Sequence, residues 1–271
     1  MKQLKKIPRY AILVIFAAIA VTPFLWLLGT SLKGSEELFT YPPTIIPKQF
    51  VFANYSGVWN AVPFGMYYLN SVIIVVLTVL MNVVFSSFAG FALARFDFRY
   101  KNLIFFMVIG TMMIPKELII IPVYTTILKI GLADTLAGVI LPFAVEGFAV
   151  FMMRQAFLAI PKEIEEAAIM DGCSLFRLWW NIMTPMTKPT LATLAVFSFI
   201  SSWGDFLWPL IVLKNPENYT LQVGLSYMTG TFVNNYRYIA AGAVLAVIPV
   251  LVVFLFVQKY FERGLFAGTG K

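Results

Sequence analysis

Two carboxylates stand inside long apolar runs of this chain. Glu146 lies in the middle of one run. Asp205 lies in another, within Ser201-Ser202-Trp203-Gly204-Asp205-Phe206-Leu207-Trp208-Pro209. An ionisable side chain within an apolar span is costly, and it marks a functional position by default. A carboxylate accepts hydrogen bonds from hydroxyls, and an aromatic face stacks on the apolar face of a sugar ring. Glu146, Trp203, Asp205 and Trp208 could therefore line a path for a hydroxylated solute. The structural alternative is a carboxyl satisfied by backbone at a helix break, with Trp in the interfacial belt. Asn82, Ser86 and Ser87, in an earlier apolar run, could line the same path or hydrogen-bond between helices. Catalysis finds no such foothold. The chain has no His and a single Cys, Cys173, so it offers no Ser/His/Asp set, no disulfide framework and no expected metal site. The tail Gly268-Thr269-Gly270-Lys271 has the look of a phosphate loop, but Leu265 stands where the first Gly is required and no Ser/Thr follows. The expectation is a non-enzyme that binds no cofactor of its own.

The 271 residues are 60% hydrophobic and 12% charged, against about 25% charged in globular chains. That composition places most of the chain in a membrane. The formal charge of +7 does not point to nucleic acid, because the Lys and Arg are dispersed at the ends of apolar segments. Six spans are expected, at about 10–32, 68–93, 103–126, 134–153, 190–213 and 239–257, in a single domain over 1–271. Ala18-Ile19-Ala20 imitates a signal-peptide cleavage site, yet the apolar run continues to Leu32 without a charge, so a retained first span is the expectation. Of the 20 Lys and Arg, 14 fall in segments 1–9, 94–102, 154–189 and 258–271, and five in the segments between the alternate span ends. The richer side is cytosolic by the positive-inside rule, with both termini there. The third span is interrupted by Pro115-Lys116-Glu117, so either its helix breaks or the pair lies at the outer interface. Pro209 and Pro249 imply similar breaks or kinks. The outer loop 33–67, with four Pro and many aromatics, is either an ordered cap or a contact for an external protein.

The cytosolic segment after the fourth span contains EAAIMDGCSLFRLWWNIMTPMTKP, from Glu166 to Pro189. Pro161 suits a first helical turn, and Glu163, Glu165 and Glu166 complement a helix N-terminus. Ala167 and Ala168 give a small smooth face. Gly172 is a helix stop, and Ser174 an N-cap for a second short helix that ends before Pro185. The segment has the build of a docking element.

This stretch resembles the EAA loop of membrane subunits of bacterial ABC importers: EAA, three residues, Gly, nine residues, then Ile-x-Leu-Pro. Glu166, Ala167, Ala168, Gly172, Ile182 and Pro185 fall on those spacings, Asp171 fits a common Asp-Gly variant, and Thr184 departs from the usual Leu. Ala92-Leu93-Ala94-Arg95-Phe96, Met113-Ile114-Pro115, Ile121-Pro122-Val123-Tyr124, Arg154-Gln155, the Trp203-to-Pro209 block, Thr220-to-Leu225 and Arg263-Gly264-Leu265 resemble the carbohydrate-uptake, maltose-transporter-type branch. The likeness runs from about Asn70 onward. It implies an all-α integral membrane protein of six transmembrane helices, with a cytosolic coupling helix between the fourth and fifth. Glu165, Glu166, Ala167, Ala168, Asp171, Gly172, Ile182 and Pro185 would couple to an ATPase. Implied partners are a second, different permease, two ATPase subunits that bind ATP and Mg, and an extracellular solute-binding protein, in the bacterial cytoplasmic membrane. The implied cargo is a di- or oligosaccharide. A non-sugar solute, or a self-contained secondary transporter or channel, are the alternatives.

Overall fold

Apolar side chains alone do not decide how a chain sits in a membrane. The backbone must also satisfy its own N–H and C=O groups, and helices do this within one segment. The computed structural model describes residues 7–229 and 236–267, which are helical with no strand among them. The basic residues Lys2, Lys5 and Lys6 and the tail 268–271 lie outside the described residues, as do the side chains of Arg9 and of Arg263-Gly264-Leu265. The helices are α1 (Ile7–Ser31), α2 (Ala53–Ala61), α3 (Phe64–Arg95), α4 (Lys101–Met112), α5 (Ile120–Lys129), α6 (Leu136–Ile140) and α7 (Gly147–Leu158). They continue with α8 (Lys162–Met170), α9 (Leu175–Arg177), α10 (Thr184–Met186), α11 (Lys188–Trp203), α12 (Leu207–Val212), α13 (Leu221–Tyr227) and α14 (Tyr236–Ala267).

Among the described residues, three helices are long and apolar enough to cross a membrane: Tyr10–Ser31, Phe64–Arg95 and Tyr236–Gln258. Two bent pairs pass the same test jointly, Lys101–Met112 with Lys116–Lys129 and Leu136–Phe143 with Gly147–Leu158. The single span expected over 103–126 is thus two helices at 97°. Pro115 lacks an N–H and cannot continue the preceding helix. The span expected over 134–153 also bends, by 46°, at a point carrying Glu146. In the span expected over 190–213 the interruption lies at Gly204-Asp205-Phe206 rather than at Pro209. Pro209 sits in the first turn of α12, where a missing N–H has no intrahelical partner to lose. α14 runs without a break through Pro249.

The chain divides into two compact units. The first comprises residues 1–65 and 223–250. Here the Pro-rich loop 33–67 is held by its own hydrogen bonds. The Glu37 carboxylate accepts the Lys48 N–H at 2.9 and 3.1 Å and the Thr44 hydroxyl at 3.1 Å. Buried Asn54 donates to the carbonyls of Ser31 and Lys33, both at 2.9 Å. Lys33, also buried, donates to the Thr44 carbonyl and lies over the Trp26 ring. These contacts satisfy polar groups that the Pro-rich loop cannot satisfy by regular structure.

The second unit comprises residues 66–222 and 251–271. Its core gathers Phe91, Met153, Phe157, Leu178, Trp179 and Met183 with the small residues Ala94, Ala149 and Ala168. Gly90 lets α3 lie directly on α7: a Cβ there would fall 2.6 Å from Met153 Cβ and 2.8 Å from the Arg154 nitrogen. Replacing Gly90 with Val is expected to force the two helices apart and to destabilise the protein by about 1–3 kcal/mol, the usual range for overpacking. Thermal unfolding of the detergent-solubilised protein measures this, and an unchanged midpoint would show that the approach is not tight.

Candidate functional site

The polar segment between α7 and α11 folds as its local chemistry dictates. α8 begins immediately after Pro161, which precedes the first helical residue rather than occupying it. At its end Gly172 takes φ +78°. The Cys173 N–H reaches the Ala168 carbonyl at 3.0 Å and the Gly172 N–H the Ile169 carbonyl at 2.9 Å. That pair of bonds is a Schellman cap, which closes a helix with a left-handed glycine. Ser174 then caps the next helix, its hydroxyl accepting the Arg177 N–H at 3.4 Å. The expectation that this second helix ends before Pro185 is corrected: the helical path continues to Met186. It does so through a π-helical turn at Leu178–Met183. The wider turn opens the ladder ahead of Pro185, which then occupies the first turn of α10, where its missing N–H costs little.

The eight residues assigned to coupling divide by direction. Ala168 is buried in the core of the unit, with Ile182 packed against that core and Pro185 half-buried. Glu165 turns inward, its carboxylate 3.2 Å from Nε of Arg95. Glu166, Ala167, Asp171 and Gly172 are exposed. Beside them Met170 is 87% exposed, and Leu175 and Phe176 are exposed too. This apolar patch was not singled out in the sequence, although Met170 between an EAA triplet and an Asp-Gly stop was a usable signal.

Arg95 was also missed as a site residue. Its side chain is only 3% exposed. One terminal nitrogen donates to the carbonyl of Phe157, in the last turn of α7, at 2.8 Å and to that of Ile160, just past the helix end, at 2.7 Å. Nε faces Glu165 out of line for a hydrogen bond, so that contact is electrostatic. Arg154 answers from α7, donating to the Leu93 carbonyl at 3.2 Å and stacking on Phe105 at 3.9 Å. Two crossed arginines thus fasten the ends of α3 and α7, and one of them holds α8. Alongside lies an open groove of about 700 Å³ walled by Arg95, Asp97, Lys101, Lys162, Glu163 and Glu166.

The path residues also divide. Asn82 is buried; its amide donates to Ser198 at 3.3 Å, and its carbonyl accepts from Ser86 at 3.0 Å and from the Glu146 backbone N–H at 3.1 Å. Ser87 accepts from the Trp179 indole at 3.0 Å, and the Trp208 indole donates to the Val139 carbonyl at 3.1 Å. Asn82, Ser87 and Trp208 therefore act as buried ties between segments, and Ser86 holds the Asn82 amide from within the same helix. Glu146, Trp203 and Asp205 instead line one hollow, with Ser198, Ser201 and Ser202. Lys116 joins them: its ammonium sits 2.7 Å from Glu146 Oε1. The sequence offered a signal here as well, because a lone cation at membrane depth needs a partner.

The second unit thus holds a short helix anchored on one face and, separately, a polar hollow lined by ionisable residues. Residues 82–267 match the family described as the binding-protein-dependent transport system inner membrane component, and the chain belongs to that family. It is 39% identical over 252 residues to the arabinooligosaccharides transport system permease protein AraQ of Bacillus subtilis, covering 92% of this chain and 90% of that one. It is 30% identical to the diacetylchitobiose uptake system permease protein NgcG of Streptomyces coelicolor, covering 96% and 87%. It is 32% identical to the sn-glycerol-3-phosphate transport system permease protein UgpE of Yersinia pestis, covering 88% and 87%. A chain in the crystal structure of a bacterial ABC transporter involved in import of the acidic polysaccharide alginate superposes with a TM-score of 0.86 at 27% identity, covering 96% of this chain and 97% of that one.

The Arg95–Glu165 contact yields a double-mutant test. Arg95→Met leaves a carboxylate unpaired, and Glu165→Gln leaves a buried guanidinium unpaired. Because Glu165 is 17% exposed, each loss is expected at about 1–3 kcal/mol, below the 3–5 kcal/mol of a fully buried pair. Unfolding of the double variant should cost clearly less than the two single losses together, whereas strict additivity would show that the two groups do not interact.

Proposed function

We propose that this chain is one of two membrane-spanning subunits of an ATP-driven importer, and that it carries half of the pathway for an oligosaccharide. The observation that supports this most is α8. Its inner face is pinned by Ala168 and by Glu165 on Arg95, while Glu166, Ala167 and Met170 face outward. A helix held on one side and presenting a small apolar and acidic surface on the other is built to seat in a cleft of another protein. The resemblance of this segment to the EAA loop of ABC importers supports an ATPase subunit as the owner of that cleft. Closure of two ATPases around ATP and Mg would shift α8, and its anchor on α3 and α7 would carry the shift to the transmembrane helices. Such a joint lets ligand energy bias a two-state membrane element.

In this reading the chain crosses the bacterial cytoplasmic membrane six times, with α11 and α12 together forming the fifth span. Both termini and α8 are cytosolic, on the side rich in Lys and Arg. A second, different permease completes the pathway, and an extracellular binding protein delivers the solute near the ordered outer loop. The relatives that carry arabinooligosaccharides and diacetylchitobiose favour a sugar, and the absence of a catalytic set in the sequence favours a subunit that performs no chemistry itself. The relatives associated with sn-glycerol 3-phosphate and alginate support a second reading, an anionic solute.

Purification of the tagged chain, co-expressed with its partner subunits, tests the proposal. A nucleotide-hydrolysing subunit is expected to co-elute. Met170→Asp should reduce its retention about tenfold or more while the second permease stays bound, since a carboxylate would be placed in a desolvated apolar contact. A chain that transports solute with no ATPase subunit present would contradict the proposal and favour a self-contained carrier.

A further inference from the structure

Three helix interruptions in the second unit bring one ionisable residue each to the same place. Lys116 follows the break at Pro115, Glu146 stands immediately before α7, and Asp205 lies between α11 and α12. All three line one hollow of about 30 Å³, the room of a single hydroxyl or water, together with Ser198, Ser201, Ser202 and Thr78. A contiguous space of about 170 Å³ is bounded by Lys116, Glu117, Phe143, Ser201, Asp205 and Trp208. Interrupted helices at membrane depth are tolerated where they line a cavity, and such breaks are where transporters hold their cargo.

We infer that Lys116, Glu146 and Asp205 form a subsite on this chain for the hydroxyls of an uncharged glycoside, and that its surplus negative charge turns anionic solutes away. The inference rests on the importer reading above and narrows its solute class. Lys116, half exposed, gives one N–H to Glu146 at 2.7 Å, which leaves two donors for solute oxygens. Its charge is matched by Glu146. Asp205 accepts the Trp208 N–H at 3.4 Å, and among the described residues no ion pair holds it. With Glu117, which bounds the adjoining space, three carboxylates and one ammonium leave a formal surplus of two negative charges. In a cavity of low dielectric that surplus repels a carboxylate or phosphate strongly, whereas a hydroxyl, both donor and acceptor, meets partners of either kind. The space is smaller than the roughly 300–1,000 Å³ of a complete ligand pocket. It is one wall of a path whose other wall a second permease supplies.

The test uses the purified complete transporter without its binding protein, so that the membrane subunits alone select. Saturation-transfer NMR would be recorded with arabinotriose, diacetylchitobiose, trimannuronate and sn-glycerol 3-phosphate. The wild type is expected to contact the first two at least tenfold more strongly than the anions. Glu146→Gln with Asp205→Asn keeps shape and leaves Lys116 unpaired. That double variant should lose at least fivefold of the uncharged-sugar signal and gain contact with trimannuronate. Asp205→Glu, which keeps the charge, should still exclude anions. Equal wild-type contact with charged and uncharged solutes overturns the inference. So does contact with none of the four, or an assembled double variant with an unchanged ratio. Should the double variant fail to assemble, the wild-type comparison decides alone. Each of these failures leaves ATP-driven uptake by the wild type intact, which separates it from failure of the importer reading.

Discussion

A helix that stops inside a membrane frees backbone groups with no water to receive them, and side chains must meet that need. Buried polar side chains of the second unit meet such needs at helix breaks and helix ends. Asn82 accepts the N–H of Glu146 at the bend before α7, and the Trp208 indole caps the Val139 carbonyl in α6. Arg95 collects two carbonyls at the end of α7, and Arg154 takes one from the end of α3. Each unpaired group would cost several kcal/mol in hydrocarbon. The bends therefore occur where partners exist, and the hollow at Lys116, Glu146 and Asp205 is the space left among satisfied breaks.

Ties of the same kind attach α8 to α3 and α7 rather than leaving it to hang from a loop. α8 packs buried Ala168 and partly buried Ile164 against the core and turns one carboxylate inward. That apolar area is small, so the contact with Arg95 contributes to its position. Because Arg95 also holds the end of α7, displacement of α8 cannot occur without disturbing the junction of α3 and α7. In the proposed importer, this shared joint is where a shift of α8 would be passed to α3 and α7.

Local chemistry made part of this legible in the sequence. Gly172 and Ser174 act through their own backbone and side chain, so the helix stop and the following cap could be read from residue type alone. The break at Pro115 was legible for the same reason. The bend before α7 was not: Ala144 and Val145 are as apolar as the run around them, and the bend is set by contact with Asn82, 64 residues away. Arg95 pairs with Glu165 and Lys116 with Glu146 across comparable distances, and a pattern of types along one chain does not reveal such pairs. Pro185 misled because its rule assumes an α-helical ladder, and a π-helical turn precedes it. The bonds made by Asn82, Ser86 and Trp208 were not legible either, because polar residues in apolar runs look alike until their partners are known.

The central claim is that residues from Lys162 to Arg177 are the seat of an ATPase. Hydrogen–deuterium exchange on the reconstituted complex, compared with the permease pair stripped of its ATPase subunits, addresses it most directly. The account predicts that the amides of α8 and of the Asp171–Ser174 cap exchange markedly more slowly when the ATPases are bound, with little change in the outer loop near Glu37. Identical exchange across α8 in the two samples, with slowing elsewhere on the chain, would contradict it.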